Sequence, residues 1–164
     1  EEGLTLLKRV AGLNQIAFFI CAGSDQQSLV ERGVTELGIA RRRIAGSAPE
    51  ALRAAVVTMT ALEARAAPAD VSLSVVGRPT QAIVPWDEAA IAGRSAPQVL
   101  TAAQLARLNA RVSRLWPPGP TTLASAAGRL IRSALTRSPR VHIALPRLST
   151  ALACVVPIAL RSCR

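Results

Sequence analysis

Ile16-Ala17-Phe18-Phe19-Ile20-Cys21-Ala22-Gly23-Ser24-Asp25 is an unbroken apolar run followed by a turn of small and polar residues. A run of this length is what a strand buried on both faces of a parallel sheet presents. Ser24 or Asp25 then stands where a helix N-cap belongs. In the helix that follows, Leu29, Val30, Val34 and Leu37 make one apolar face. Gln27, Glu31, Arg32 and Glu36 face water, and Gly38 is placed as the C-terminal cap. Arg43-Ile44-Ala45-Gly46 reads as a second short strand, so the stretch predicts a strand-helix-strand unit of the parallel type. Ahead of it, Leu4, Leu6, Leu7 and Val10 mark an amphipathic helix end that Gly12 and Asn14 break.

Ser47-Ala48-Pro49-Glu50 opens the next helix. Serine stands as N-cap, proline falls in the first turn, and the glutamate three residues on completes a capping box. Leu52, Val56, Met59 and Leu62 carry this helix to its end near Ala66-Ala67-Pro68. Val71, Leu73 and Val75 alternate with Ser72 and Ser74 as a strand with one wet face, and residues 82–86 form its hairpin partner after the Gly77-Arg78-Pro79 turn. Leu105, Leu108, Val112 and Leu115 stripe a third long helix, with Arg107, Arg111 and Arg114 opposite, and Pro117-Pro118-Gly119-Pro120 stops it. A fourth helix over 121 to about 136 buries Leu123, Ala127, Leu130 and Ile131, and 140–145 is a last strand. Strand-helix alternation running into a mixed segment is the end of a parallel α/β layer followed by an α+β domain.

The composition supports a packed core. Of 164 residues, 50% are apolar and only 2% aromatic, so Leu, Val, Ile and Ala must fill the interior. The net charge of +10 raises nucleic acid or an anionic membrane as partners. Yet Lys8 is the only lysine, and an Arg- and Ala-rich chain is what a GC-rich coding bias produces. The arginine stripe of the third helix has no aromatic interleaving, so it reads as a solvated face, and a basic nucleic-acid binder is kept only as a third, less favoured reading. Cys21, Cys154 and Cys163 lack metal-ligand spacing, and the lone His142 cannot complete a zinc set. Cys21 has no basic partner nearby and reads as a small buried residue. With no membrane-length apolar run and no secretory signal, a cytoplasmic protein is expected. The chain opens Glu1-Glu2-Gly3 and moves at once into a helix interior, as a chain starting partway into a fold would.

With this punctuation, the order of elements resembles the second half of the lactate/malate dehydrogenase family. Val75-Val76-Gly77-Arg78-Pro79-Thr80-Gln81-Ala82-Ile83-Val84-Pro85 lies without a gap on the family's V-L-G-x-H-G-D-x-M-V-P segment. Gly46-Ser47-Ala48-Pro49-Glu50-Ala51-Leu52-Arg53 falls on G-T-x-L-D-S-x-R. Ile20-Cys21-Ala22-Gly23 sits at the V-T-N-P turn, Ile91-Ala92-Gly93 matches the segment before the family's long helix, and Gly119-Pro120-Thr121 lies near the turn opening its penultimate helix. The resemblance covers about residues 4–145.

The fold it implies is α/β, the end of a Rossmann-type parallel layer followed by the α+β catalytic domain of this family. Residues 1–46 would be the remnant of a dinucleotide-binding domain, 47–145 the catalytic-type domain, and 146–164 an atypical tail. The activity implied is NAD-dependent oxidoreduction of a 2-hydroxy acid, in which a histidine moves the proton and an arginine clamps the substrate carboxylate. Arg53 matches the clamp, and Glu50 stands for the histidine's carboxylate partner. Three residues apart, they share a helix face, so one site and a local surface pair both remain open. Thr121 matches the hydroxyl lining the substrate pocket, or caps a helix.

The histidine position is Pro79, which has no ionisable group, so acid-base catalysis there is chemically impossible and the expected protein is inactive. Ala22 replaces the family asparagine, Gln81 replaces the aspartate after the histidine, and His142 falls on a later strand. No dinucleotide fingerprint occurs, so NAD is expected not to bind this chain alone. The alternative function is a non-catalytic binding or oligomerisation module, partnered by another copy or by an intact dehydrogenase subunit, with Trp86 and Trp116 as core or interface residues. The tail has no acidic residue and two of the three cysteines, which suggests a shifted reading frame or decay.

Overall fold

A computed structural model describes residues 1–78, 81–135, 143–144 and 156–157. Helix α1 (Glu2–Leu13) leads into strand β1 (Phe19–Cys21), helix α2 (Gln26–Thr35) and strand β2 (Ile44–Gly46). β1 and β2 pair in parallel, Phe19 opposite Ile44 and Cys21 opposite Gly46, which is the strand-helix-strand unit that the apolar run predicts. Leu7, Cys21, Val30, Ile39 and Ile44 form its core, and Gly38 takes the left-handed backbone that turns the chain after α2. The strand is shorter than the run. Ile16 is 90% exposed and Phe19 and Ile20 are only partly buried, because among the described residues β1 has a single neighbouring strand.

Helix α3 (Ala48–Ala64) begins where the second helix is predicted, but the capping box does not form. Ser47 already has helical backbone angles and makes no side-chain cap, so its hydroxyl is buried without a hydrogen-bond partner. The Ala48 N–H is met instead by the Gln26 side chain, 2.8 Å away. Leu62 also departs from the expected stripe. It is 75% exposed, while Leu52, Val56, Val57, Thr60 and Ala61 turn inward.

The alternation at 71–75 is observed as buried and exposed positions in turn. Strand β3 (Val71–Ser72) and the hairpin β4 (Val76–Arg78) and β5 (Gln81–Ile83) follow α3. Val76 pairs with Ile83 and Arg78 with Gln81, and positions 79 and 80 lie outside the described residues. The predicted second strand ends early, since Trp86 sits in a 3-10 turn with its ring in the core and its indole N–H donating to Asn109 Oδ1 at 2.8 Å. β6 (Ala90–Ile91) and β7 (Arg94–Ser95) complete an antiparallel sheet ordered β3-β6-β7 that short polar-apolar runs did not announce.

After the short α4 (Ala96–Val99), α5 (Ala102–Val112) starts with a complete capping box: Gln104 N–H donates to Thr101 Oγ1, and Thr101 N–H to Gln104 Oε1. Leu108 and Val112 pack into the main core with Leu52, Val56, Leu73 and Trp86. Of the arginines opposite, Arg107 reaches Glu63 on α3 at 2.6 Å. Helix α6 (Pro120–Leu135) buries Leu123, Ala126, Leu130 and Ser133, whereas Ala127 is intermediate and Ile131 49% exposed. β8 (Ile143–Ala144) pairs antiparallel with β9 (Val156–Pro157), so two residues of the tail are strand. No helix among the described residues is long and apolar enough to cross a membrane.

Candidate active site at the start of α3

Small residues decide where α6 meets α3. Ala48 and Ala51 on α3 pack with Leu123 and Ala126 on α6, and Trp116 covers the contact. Alanine at these positions lets the two helices approach closely. Glu50 lies between the two α3 alanines and Arg129 one turn beyond Ala126, so the same contact brings their side chains together.

Glu50 is completely buried. Arg53 grips it through two parallel bonds, Nε to Oε2 at 2.9 Å and Nη2 to Oε1 at 2.9 Å. Arg129 donates from Nε to Glu50 Oε1 at 3.3 Å and from Nη1 to Ser125 Oγ at 3.0 Å. Glu50 and Arg53 do form the local pair that their spacing allows, but it is not on the surface at the acid: the carboxylate is interior, and the arginines reach water, with side chains 25% exposed for Arg53 and 38% for Arg129. The hydrogen bond to Glu50 raises the Arg53 guanidinium above its ordinary value, against the opposing effect of burial, and the charge of the same carboxylate adds to it. With Nε and Nη2 engaged, Arg53 keeps its Nη1 edge for an oxyanion.

Thr121 is the second residue of α6, exposed in its first turn, so Pro120 rather than a threonine cap opens that helix. Ala22 is half-buried behind β1, and Gln81 is an exposed end of the hairpin. Pro79 and His142 lie outside the described residues. Arg129 and Gln26 are absent from the sequence reading. Gln26 is buried and ties the turn after β1 to α3, its Nε2 donating to the Gly23 carbonyl at 2.9 Å while its Oε1 accepts from Ala48. A buried glutamine one residue after a strand-end turn is a signal that composition alone does not separate from a solvated one.

Burial pushes the Cys21 thiol up to about 11 from an ordinary value near 9. The thiolate is the nucleophile, so this cysteine is inert, as expected of a packed residue. Iodoacetamide at pH 8 should leave Cys21 unlabelled in the folded protein, read by peptide mapping, and label it after denaturation. Because the folded value lies above the unfolded one, its contribution to stability is complete below pH 9 and is lost as pH rises from 9 towards 11.

The residues present do not make a dinucleotide cradle. The only strand-turn-helix among the described residues that is parallel-paired onward has Ala22-Gly23-Ser24-Asp25 as its turn, with a single glycine. Asp25 occupies the N-cap of α2, where its charge would oppose a pyrophosphate. Among the described residues no cluster of His, Cys, Asp or Glu could hold a metal ion.

A parallel strand-helix-strand unit leads into α3, then a hairpin and long helices, and solved malate and lactate dehydrogenases share this fold. The chain has that α/β fold. It superposes on the malate dehydrogenase of Aeropyrum pernix with a TM-score of 0.76 at 9% identity, over 89% of this chain and 52% of that one. For the minor L-lactate dehydrogenase of Enterococcus mundtii the TM-score is 0.79 at 15% identity, over 94% and 56%. For the Cryptosporidium parvum lactate dehydrogenase complexed with lactic acid and nicotinamide adenine dinucleotide it is 0.74 at 17%, over 91% and 53%. The chain thus spans about half the length of these solved structures. No family model matches the sequence, and neither does any curated protein.

Proposed function

We propose that this chain is a malate/lactate dehydrogenase-like pseudoenzyme that holds a small 2-hydroxy or 2-oxo acid by its carboxylate and does not perform the proton transfer of NAD-dependent oxidoreduction. The observation that carries the reading is Arg53, partly exposed and fixed in orientation by a fully buried glutamate. A guanidinium held in this way has little side-chain freedom left to lose when an anion docks on its remaining edge. Thr121 belongs to the same proposed site through the resemblance. Proton transfer is set aside because Pro79 stands at the histidine position and because Glu50, the residue matching the histidine's partner, is already bonded to two arginines. NAD, used by the family, is not bound by this chain alone in this reading. A cytoplasmic setting, in which cysteines stay reduced, accommodates the free buried thiol of Cys21.

The test is calorimetric titration with pyruvate and with L-lactate in phosphate-free buffer. The native chain should bind, and Arg53→Gln should abolish binding without unfolding the protein. An unbroken zero heat in the native chain, or full affinity in the Arg53 variant, overturns the reading.

One observation favours a second reading, assembly with another copy of this chain or with an intact dehydrogenase subunit. Leu6, Val10 and Leu13 of α1 are 61%, 40% and 87% exposed at helical spacing, an apolar stripe facing water. Sedimentation velocity should then show a dimer that Leu6→Glu with Leu13→Glu converts to monomer. A native chain that stays monomeric at high concentration removes self-assembly.

A further inference from the structure

We propose that Arg129 is a second ligand-contacting residue of the Arg53 site, and that the ligand is a singly charged carboxylate lying across both guanidiniums. The inference rests on the reading of Arg53 as a carboxylate site and adds a residue from a different helix, 79 positions away from Glu50.

Three features of the cluster carry it. First, Arg53 Nη2 and Arg129 Nε converge on one atom, Glu50 Oε1, so the two guanidiniums are neighbours by construction. Second, among the described residues two cations meet one carboxylate, and the excess positive charge of that trio lies towards water, because Glu50 is fully buried and the two arginines are not. Third, Arg53 Nη1 and Arg129 Nη2 make no hydrogen bond among the described residues, while the other nitrogens of each group that do bond are spent on Glu50 and Ser125. Each guanidinium is thus anchored along one side and keeps donors on another. A planar carboxylate can accept from both, restoring neutrality without moving either side chain. Inorganic phosphate shares the oxyanion chemistry, but at neutral pH it carries between one and two charges in a tetrahedral shape, so it matches neither the single surplus charge nor the planar edges as well.

The experiment titrates the native chain, Arg129→Gln, Arg129→Lys and Arg53→Gln with pyruvate and, separately, with inorganic phosphate, each variant first checked for folding by near-UV circular dichroism and thermal melting. Pyruvate should bind the native chain more tightly than phosphate does. Arg129→Gln should weaken pyruvate about tenfold, the loss of one charge-assisted contact. If that variant unfolds, Arg129→Lys decides, since a compact ammonium on a single nitrogen lacks the separate edges with which the guanidinium meets Glu50 and the ligand; it should weaken pyruvate severalfold in the folded protein. Native affinity in a folded Arg129 variant, alongside lost affinity in Arg53→Gln, overturns the role of Arg129 and leaves the Arg53 site standing. Tighter binding of phosphate overturns the choice of a carboxylate. Absence of pyruvate binding in the native chain overturns the Arg53 reading itself.

Discussion

Glu50→Ala is expected to destabilise the folded chain by about 3 kcal/mol, the low end of what removing one partner of a buried ion pair costs. The carboxylate is wholly enclosed and serves Arg53 and Arg129 together, so its removal leaves two guanidiniums facing each other across a cavity. Both arginines reach water, and their freedom to turn outward keeps the loss below the upper end of the range. The glutamate also lies in the first turn of α3, where a negative charge is favoured by the helix dipole. Urea unfolding at neutral pH measures the difference. Glu50→Gln separates charge from shape: it keeps an acceptor for Arg53 and the volume of the side chain, and should recover part of the loss. A change below about 1 kcal/mol for the alanine variant would mean the pair is a surface-grade interaction.

Leu108→Ala should cost a similar amount, about 3 to 4 kcal/mol, for a different reason. Leu108 is 1% exposed and fills the core that residues of α3, the hairpin and Trp86 also line. Truncation removes buried methyl groups and leaves a cavity whose walls are the helices themselves, so little collapse is available. Against a typical domain stability of about 5 to 15 kcal/mol, each of these two substitutions removes a large share. An unchanged denaturant slope with a lowered midpoint is the expected form of the result. A loss under about 1 kcal/mol would show that α5 does not dock on this core.

The parts of the fold legible in the sequence are those with one dominant signal. The run at 16–21, the apolar face of α2 and the Ile44 strand give the parallel unit, and the alternation at 71–75 gives the buried and exposed faces found there. Local signals fail where a distant group takes the bond. Ser47 and Glu50 have capping-box spacing, yet Gln26 satisfies Ala48 from another element and the arginines take the glutamate. Thr101 and Gln104 have the same spacing with no competitor, and there the box forms. Leu62 and Ile131 end outside because they lie off the buried faces of their helices, which continue past them at Ala64 and at Ser133. Arg53 and Glu50 are singled out by their motif, and their pairing follows from the three-residue spacing. Arg129 is not, since only the close packing of α6 on α3 through alanines brings it to Glu50.

The most direct measurement of the central claim is a turnover assay of the purified native chain, following NADH consumption with pyruvate and with oxaloacetate at near-neutral pH. Without an ionisable group at position 79, and with Glu50 committed to two arginines, consumption should equal that of buffer with cofactor and substrate alone. Substrate-dependent NADH oxidation above that background, lost in Arg53→Gln, would contradict it and require a proton donor elsewhere in the chain.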